Sequence, residues 1–346
     1  MKPNCVKERK RPEFALRIIS TCDFFARDVK WVVPVKTPII SVVVPTLNEK
    51  EDLPVLLQSL EKQTFTEFEI IVADAGSRDG TKGIAREHGG KVVKGGMPGV
   101  GRNRGADVAR GEFLFFFDAD VELPPDFLQK ALDEMEDRFL DLATCEFKPK
   151  SDLRLDEIMF RFANLTVKMN QDINPRAAGF CIFITRRLFR RVGGFDESLK
   201  LAEDHDLVQR AAKFRPLRVL NEAHLFVSVR RLEKEGRFNL AQKYGQVELH
   251  LLLKGKVKDE IVEYEFGKFG KDGEKSGKLL ENFEKRIIHL EQVYNKFART
   301  LDDASKSESK PDLLAQWKTG FDAAVEALGG LVNPPKGAQA IEDKSK

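Results

Sequence analysis

The chain of 346 residues has only four cysteines, Cys5, Cys22, Cys145 and Cys181, and no two of them form a CxxC pair. That spacing argues against a zinc site or a disulfide framework. Two of the four lie in hydrophobic stretches, so buried free thiols and a cytoplasmic, reducing setting are expected. No run approaches the ~18 uninterrupted apolar residues of a membrane-crossing helix. The N-terminus, MKPNCVKERKRPEF, is basic, but no apolar core or small-residue cleavage site follows it directly. The expectation is a cytoplasmic protein, with contact at the inner face of a membrane limited to peripheral association. Charge of one sign is also lacking, since 58 Lys and Arg stand against 55 Asp and Glu, a net +3. So small an excess does not supply the concentrated basic face of a nucleic-acid binder. What the chain does have is length and 42% hydrophobic residues, enough for a substantial core in one large domain plus an appendage, or in two domains.

Patterning divides the chain into four parts. Residues 1–37 form an N-terminal extension in which Phe14, Ile18, Cys22, Phe25 and Val29 recur at helical spacing before Pro34 and Pro38 break it. From residue 38 to 232, strand-like and helix-like segments alternate. IISVVVP is a strand buried on both faces, followed by the helical DLPVLLQSLEKQ, the strand FEIIVAD, a turn into a helix over GSRDGTKGIAREHG, and the strand KVVKGG. GRNRGADVARG is then a helix, and EFLFFFDAD a strand ending in carboxylates. Such alternation predicts an α/β domain with a largely parallel sheet, in which ligands bind at the carboxyl ends of the strands. Residues 233–332 are Lys/Glu-rich and helical. They contain a heptad seam from Leu280 to Leu301, a second amphipathic stretch from Leu314 to Leu328, and a hairpin linker between them. The seam suits packing within the chain or a homodimer. Residues 333–346 are expected to be a disordered tail.

Three strands end in polar, acid-bearing loops: PTLNE, ADAGSRDGT and DADVELP. Asp118 and Asp120 flank Ala119; on a regular strand both carboxylates would face the same way and converge on one cation. Mg²⁺ and Mn²⁺ take such hard oxygen ligands and share them with phosphate, as a nucleoside diphosphate next to carboxylates requires. Asp74 has two readings, an acceptor from a base N–H or a cap on the helix beginning near Asp79. Pro45, Thr46 and Glu49 close the first strand in the same way. Further along, Glu203, Asp204 and Asp206 occupy a helix start.

The blocks SVVVPTLNE, VADAGSRDGT, NRGADVARGEFLFFFDADV and RRVGGFDESLKLAEDHDLVQRA resemble family 2 glycosyltransferases of the GT-A fold, in family order over roughly residues 38–231. The resemblance implies a GT-A nucleotide-diphospho-sugar transferase fold with a helical C-terminal extension. It places Pro45, Thr46 and Glu49 near the base and ribose, Asp74 on the base, and Asn103 and Gly105 on the diphosphate side. Asp118 and Asp120 become the DxD motif, with Asp120 the direct ligand of Mn²⁺ or Mg²⁺. Glu203 and Asp204 match the catalytic acid pair, with Asp204 the general base of an inverting transfer. His224 corresponds to a further metal ligand in some related enzymes, and Arg230 and Arg231 would reach the diphosphate, whose oxygens suit guanidinium forks.

The chain departs from the family's processive members. No QxxRW follows the acid pair and no membrane span follows the domain, so transfer of a single sugar is expected. The partners implied are a nucleotide-diphosphate sugar, uridine favoured over guanosine, and a glycan or lipid-linked acceptor. Two enzyme alternatives fail on the sequence. Gly99, Gly101 and Gly105 follow GxGxxxG and not the dinucleotide fingerprint, and PTLNEKED is acidic where a triphosphate loop would be basic. The alternative from another class is a non-catalytic scaffold or regulator on the same fold. Intact DxD and acid-pair motifs count against it.

Overall fold

The computed structural model describes residues 37–235. The expectations for the N-terminal extension, the C-terminal hairpin with its Leu280–Leu301 seam, and the tail lie outside the described residues. β1 (Ile40–Thr46) is a run of β-branched residues buried along its whole length. It pairs in parallel with β2 (Phe68–Asp74) on one side and with β4 (Phe113–Phe116) on the other. β3 (Lys91–Lys94) adds in parallel to β2. These four strands are the expected parallel sheet. Beyond β4 the sheet turns mixed, through β7 (Ile182–Thr185), β6 (Leu142–Lys150), β8 (Arg218–Ser228) and the two-residue β5 (Val121–Glu122). The order is β3-β2-β1-β4-β7-β6-β8-β5.

Alternation along the strands feeds two cores, one on each face of the sheet. Ile40, Val42, Val44, Phe115 and Phe117 point to one side. They pack there with α1 (Leu53–Glu61) and α4 (Phe127–Asp137). Val43, Ile71, Leu114 and Phe116 point to the other, against α6 (Arg186–Arg191) and α7 (Glu203–Ala212). α2 (Thr81–Glu87), α3 (Pro98–Asp107), α5 (Arg154–Asn170) and α8 (Arg230–Glu235) complete the described helices. Cys145 and Cys181 are buried free thiols with their sulfurs 3.3 Å apart. Among the described residues, no helix is long and apolar enough to cross a membrane.

α3 (Pro98–Asp107, PGVGRNRGAD) has almost no apolar side chains to bury. It approaches the sheet through glycine instead: a Cβ on Gly105 would lie 2.3 Å from Val43 Cγ1, and one on Gly101 would lie 3.3 Å from Pro45. Gly105 is thus a packing residue that seats α3 on β1. Replacing it with alanine forces β1 or α3 to shift, a cost of about 1–3 kcal/mol for an overpacked site. Chemical denaturation should show that loss in Gly105→Ala, and Val43→Ala in the same chain should restore part of it. Equal stability of Gly105→Ala and the parent would rule out the close seating.

Candidate active site

Because β1, β2 and β4 run in parallel, Thr46, Asp74 and the Asp118–Asp120 segment leave the sheet at the same end. The loops after β1 and β2 are stitched together by short polar side chains. Ser77 Oγ accepts from Asn48 N (2.9 Å), Thr81 Oγ1 from Glu49 N (3.0 Å) and Asp79 Oδ2 from Lys50 N (3.0 Å). Asn48 makes this turn with φ of 57°, a left-handed conformation that asparagine tolerates. Asp74 is buried. Its Oδ1 accepts from the backbone N–H of Gly76 and Ser77, both at 2.9 Å, and its Oδ2 from the Thr46 hydroxyl at 3.3 Å. Asp74 therefore shapes the loop, while the bond to the Thr81 amide at the start of α2 comes from Asp79 (3.1 Å).

β4 ends at Phe116, so Asp118 and Asp120 lie on the loop after it and not in register on a strand. They consequently have different surroundings. Asp118 accepts from Arg102 Nη2 at 2.7 Å. Asp120 is tied through its carbonyl, which accepts from Ser228 N at 2.9 Å. Burial, with Asp118 and Asp52 nearby, pushes the Asp120 carboxyl up to about 7. Burial also pushes Glu49 up to about 8, helped by Asp120 and Asp52 and opposed by Arg230. Carboxylates crowded this way supply the hard oxygens that Mg²⁺ or Mn²⁺ takes. Among the described residues no group of three or more His, Cys, Asp or Glu side chains is placed to hold a metal ion.

Arg102 joins this carboxylate cluster to the acid pair. Its side chain is only 3% exposed; Nη2 donates to Asp118 and Nη1 donates to Glu203 Oε1 at 2.8 Å. Burial alone would lower its basicity, but Asp118, Glu203 and Asp204 raise it above the ordinary guanidinium value, so the charge is permanent. Gly179 makes room for the guanidinium, because a Cβ there would fall 2.5 Å from Nη2. The Gly179 N–H donates to Asp204 Oδ2 and the His205 N–H to Asp204 Oδ1, both at 2.8 Å. Ala202, immediately before the pair, is left-handed with φ of 59°, an uncommon conformation for a residue with a Cβ. Asp206 serves the fold instead. It accepts from Arg210 Nε at 2.7 Å, and Arg210 also holds the carbonyls of Val192 and Gly194. His205 Nδ1 is buried with no hydrogen-bond partner.

Several residues sit differently from expectation. Asn103 does not turn toward the carboxylates: its amide accepts from Phe195 N (2.8 Å) and donates to Phe195 O (2.9 Å) and Glu197 (3.0 Å), fastening the loop before the acid pair. His224 does not join Asp118 and Asp120. The β6–β8 register shifts after Cys145, and Glu134 of α4 accepts from the N–H groups of Asn221 and Glu222 in the extra segment. His224 emerges opposite Glu146, four residues or about 13 Å of strand before the Ser228–Asp120 bond. Burial lowers its pKa, as do Lys148 and Lys130. Arg230 lies against the acidic loop after β1, at 3.2 Å from Glu51 and 3.6 Å from Glu49, and it pairs with Asp52. Arg231 follows it, half-buried. Pro45 is buried in β1 beneath Gly101. Arg102 is the residue that motif matching passes over; its signal is a cation among the glycines of a helix that lies between acid-bearing strands.

The α/β domain, with its parallel half-sheet, brings the Asp118–Asp120 segment and the Glu203–Asp204 pair together at one buried arginine. Residues 41–193 match the family model "Glycosyl transferase family 2". Glu203 and Asp204 lie beyond the matched span. The chain is 31% identical over 182 residues to the poly(ribitol-phosphate) beta-N-acetylglucosaminyltransferase TarS of Staphylococcus aureus, covering 49% of this chain and 32% of TarS. It is 34% identical over 119 residues to EpsH of Bacillus subtilis, covering 32% of this chain and 34% of EpsH. The chain thus spans about a third of the length of these relatives. Among solved structures, the mannosyltransferase PcManGT of Pyrobaculum calidifontis, in complex with GDP-Man and Mn²⁺, aligns with a TM-score of 0.48 at 19% identity. That alignment covers 89% of this chain and 88% of PcManGT.

The acid pair carries a pH signature. Burial and the neighbouring Asp204 push Glu203 up to about 7 in spite of Arg102. A carboxyl raised from its ordinary 4.5 holds its proton longer folded than unfolded, so it contributes stability below pH ~4.5 that is lost as pH rises toward about 7. Without metal, the melting temperature should fall between pH 5 and pH 8, and Glu203→Gln should flatten that fall. An unchanged slope in Glu203→Gln would contradict the raised value.

Proposed function

We propose that the chain transfers a single sugar from a nucleotide-diphosphate donor to an acceptor hydroxyl, with a divalent cation at the DxD motif and with inversion at the anomeric carbon. The observation that carries this reading is the buried Arg102, whose one guanidinium spans Asp118 of the DxD segment and Glu203 of the acid pair. A donor-holding motif and an acid–base motif joined within one side chain suit a displacement that needs both ends of one bond attended.

In this reading Thr46, Glu49 and Asp74 line the base and ribose, and the stitching of their loops pre-forms that surface. Asp120, with Asp118, would hold Mn²⁺ or Mg²⁺. When bound, such an ion offsets the charge that develops on the departing nucleoside diphosphate. Asp204 takes the proton of the acceptor hydroxyl as that oxygen attacks the anomeric carbon, on the face opposite the diphosphate. Two backbone N–H groups orient its carboxylate, one bond to each oxygen, and each oxygen keeps a lone pair for the acceptor. Glu203 is held by Arg102, which opposes the upward push of burial and Asp204 on its carboxyl. Uridine is the favoured donor base. The acceptor belongs to the glycan or lipid-linked saccharide class.

Asp204→Asn tests the assignment. The nucleoside diphosphate that stabilises the parent with Mn²⁺ should stabilise this variant equally in a thermal-shift panel. Transfer from the corresponding sugar nucleotide should fall by roughly 10²–10⁴-fold, the usual contribution of a general base. Transfer at the parental rate would remove Asp204 from the chemistry.

A further inference from the structure

The first residue of α8, Arg230, sits two positions beyond the Ser228–Asp120 bond that ties β8 to the DxD segment. Its guanidinium is 23% exposed and is surrounded by acids from the loop after β1. Nη1 is 3.2 Å from Glu51, Nη2 is 3.6 Å from Glu49, and Nη2 pairs with Asp52. Glu49 and Asp52 in turn act electrostatically on Asp120. One arginine therefore supplies positive charge to the carboxylates that crowd the DxD aspartates.

A divalent cation entering beside Asp120 changes that balance. Two cations among the same carboxylates repel each other, and the incoming ion competes for the oxygens the guanidinium holds. A nucleoside diphosphate arriving with the ion brings new oxygens, and a guanidinium fork fits phosphate as well as carboxylate. We propose that Arg230 is an internal counter-cation of the acid cluster that is displaced when metal and donor bind. It exchanges Glu49, Glu51 and Asp52 for the diphosphate, so that donor occupancy is read out as a shift of Arg230 at the start of α8. This exchange rests on the donor reading and adds a direction to it: Arg230 opposes metal alone and favours metal with diphosphate. A ligand moves such an equilibrium only by its different affinity for the two arrangements, and here each arrangement has its own oxygen partners.

The two roles have opposite signs, and the test uses that. The full chain, Arg230→Ala and Arg230→Gln are titrated with Mn²⁺ alone, followed by calorimetry or by the spin-resonance signal of the free ion. They are then titrated with a nucleoside diphosphate at saturating Mn²⁺. Loss of the guanidinium should tighten Mn²⁺ alone by roughly tenfold, within the range of coupling between linked sites, and should weaken the nucleotide. Glutamine keeps hydrogen bonding to the carboxylates, so it carries the same expectation if the alanine variant proves unstable. Unchanged or weaker Mn²⁺ binding by a variant that melts with the parent would overturn the exchange, as would unchanged nucleotide binding. If the parent itself binds no nucleoside diphosphate with Mn²⁺, the donor reading fails first. If the parent binds it and the variants leave Mn²⁺ affinity alone, only the exchange fails.

Discussion

The site depends on one buried cation. Arg102 brings a permanent charge into the seam between α3, the loop after β4 and the start of α7, where water is excluded and an unpaired guanidinium would be costly. Asp118 and Glu203 answer that charge, and the ring of Phe195 lies 5.6 Å from it. Several local choices follow from this placement. α3 must lie close enough on the sheet to aim residue 102 inward, which is why it meets Val43 and Pro45 with glycines. The chain at residue 179 must leave the guanidinium room, and a Cβ there would fall 2.5 Å from Nη2. That same residue gives its N–H to Asp204, so the fit around Arg102 also orients the proposed base.

The electrostatics are those of a site prepared for an added positive charge. Asp120, Glu49 and Glu203 are all pushed toward the neutral form by burial, with neighbouring carboxylates adding to the shift. Such crowding is unfavourable by itself and would be relieved by a cation, which links the proposed metal and diphosphate to the two arginines in one scheme. Arg102 is fixed and structural in this scheme. Arg230, at the edge and partly exposed, is the one proposed to move.

Most of the frame is legible in the sequence because its signals are local. A short apolar run followed by an acid-bearing polar loop is sufficient to mark β1, β2 and β4. The acid pair is visible for the same reason, as Glu203 and Asp204 open a helix whose apolar positions repeat cleanly. Pairing over long separations is not visible. Arg102 meets Glu203 across 101 positions and Arg230 meets Glu51 across 179, and no periodicity connects them. For His224, distance along the chain is a poor guide to distance in space. An irregularity in β8 near residues 221–223, held by Glu134, sends that side chain to the Lys148 and Lys130 side. A motif match also carries no helical phase, so it points to Asn103 and misses its neighbour. One step around α3 separates the loop fastener from the charge that joins the site.

Arg102 makes the DxD segment and the acid pair a single site, and one variant tests this most directly. Arg102→Met keeps length and packing while removing the charge, and it is titrated with a nucleoside diphosphate at saturating Mn²⁺. The variant should still fold but lose metal-dependent nucleotide binding, because Asp118 and the acid pair then repel each other with nothing between them. Parental affinity in a folded Arg102→Met variant would contradict the joining role of that charge.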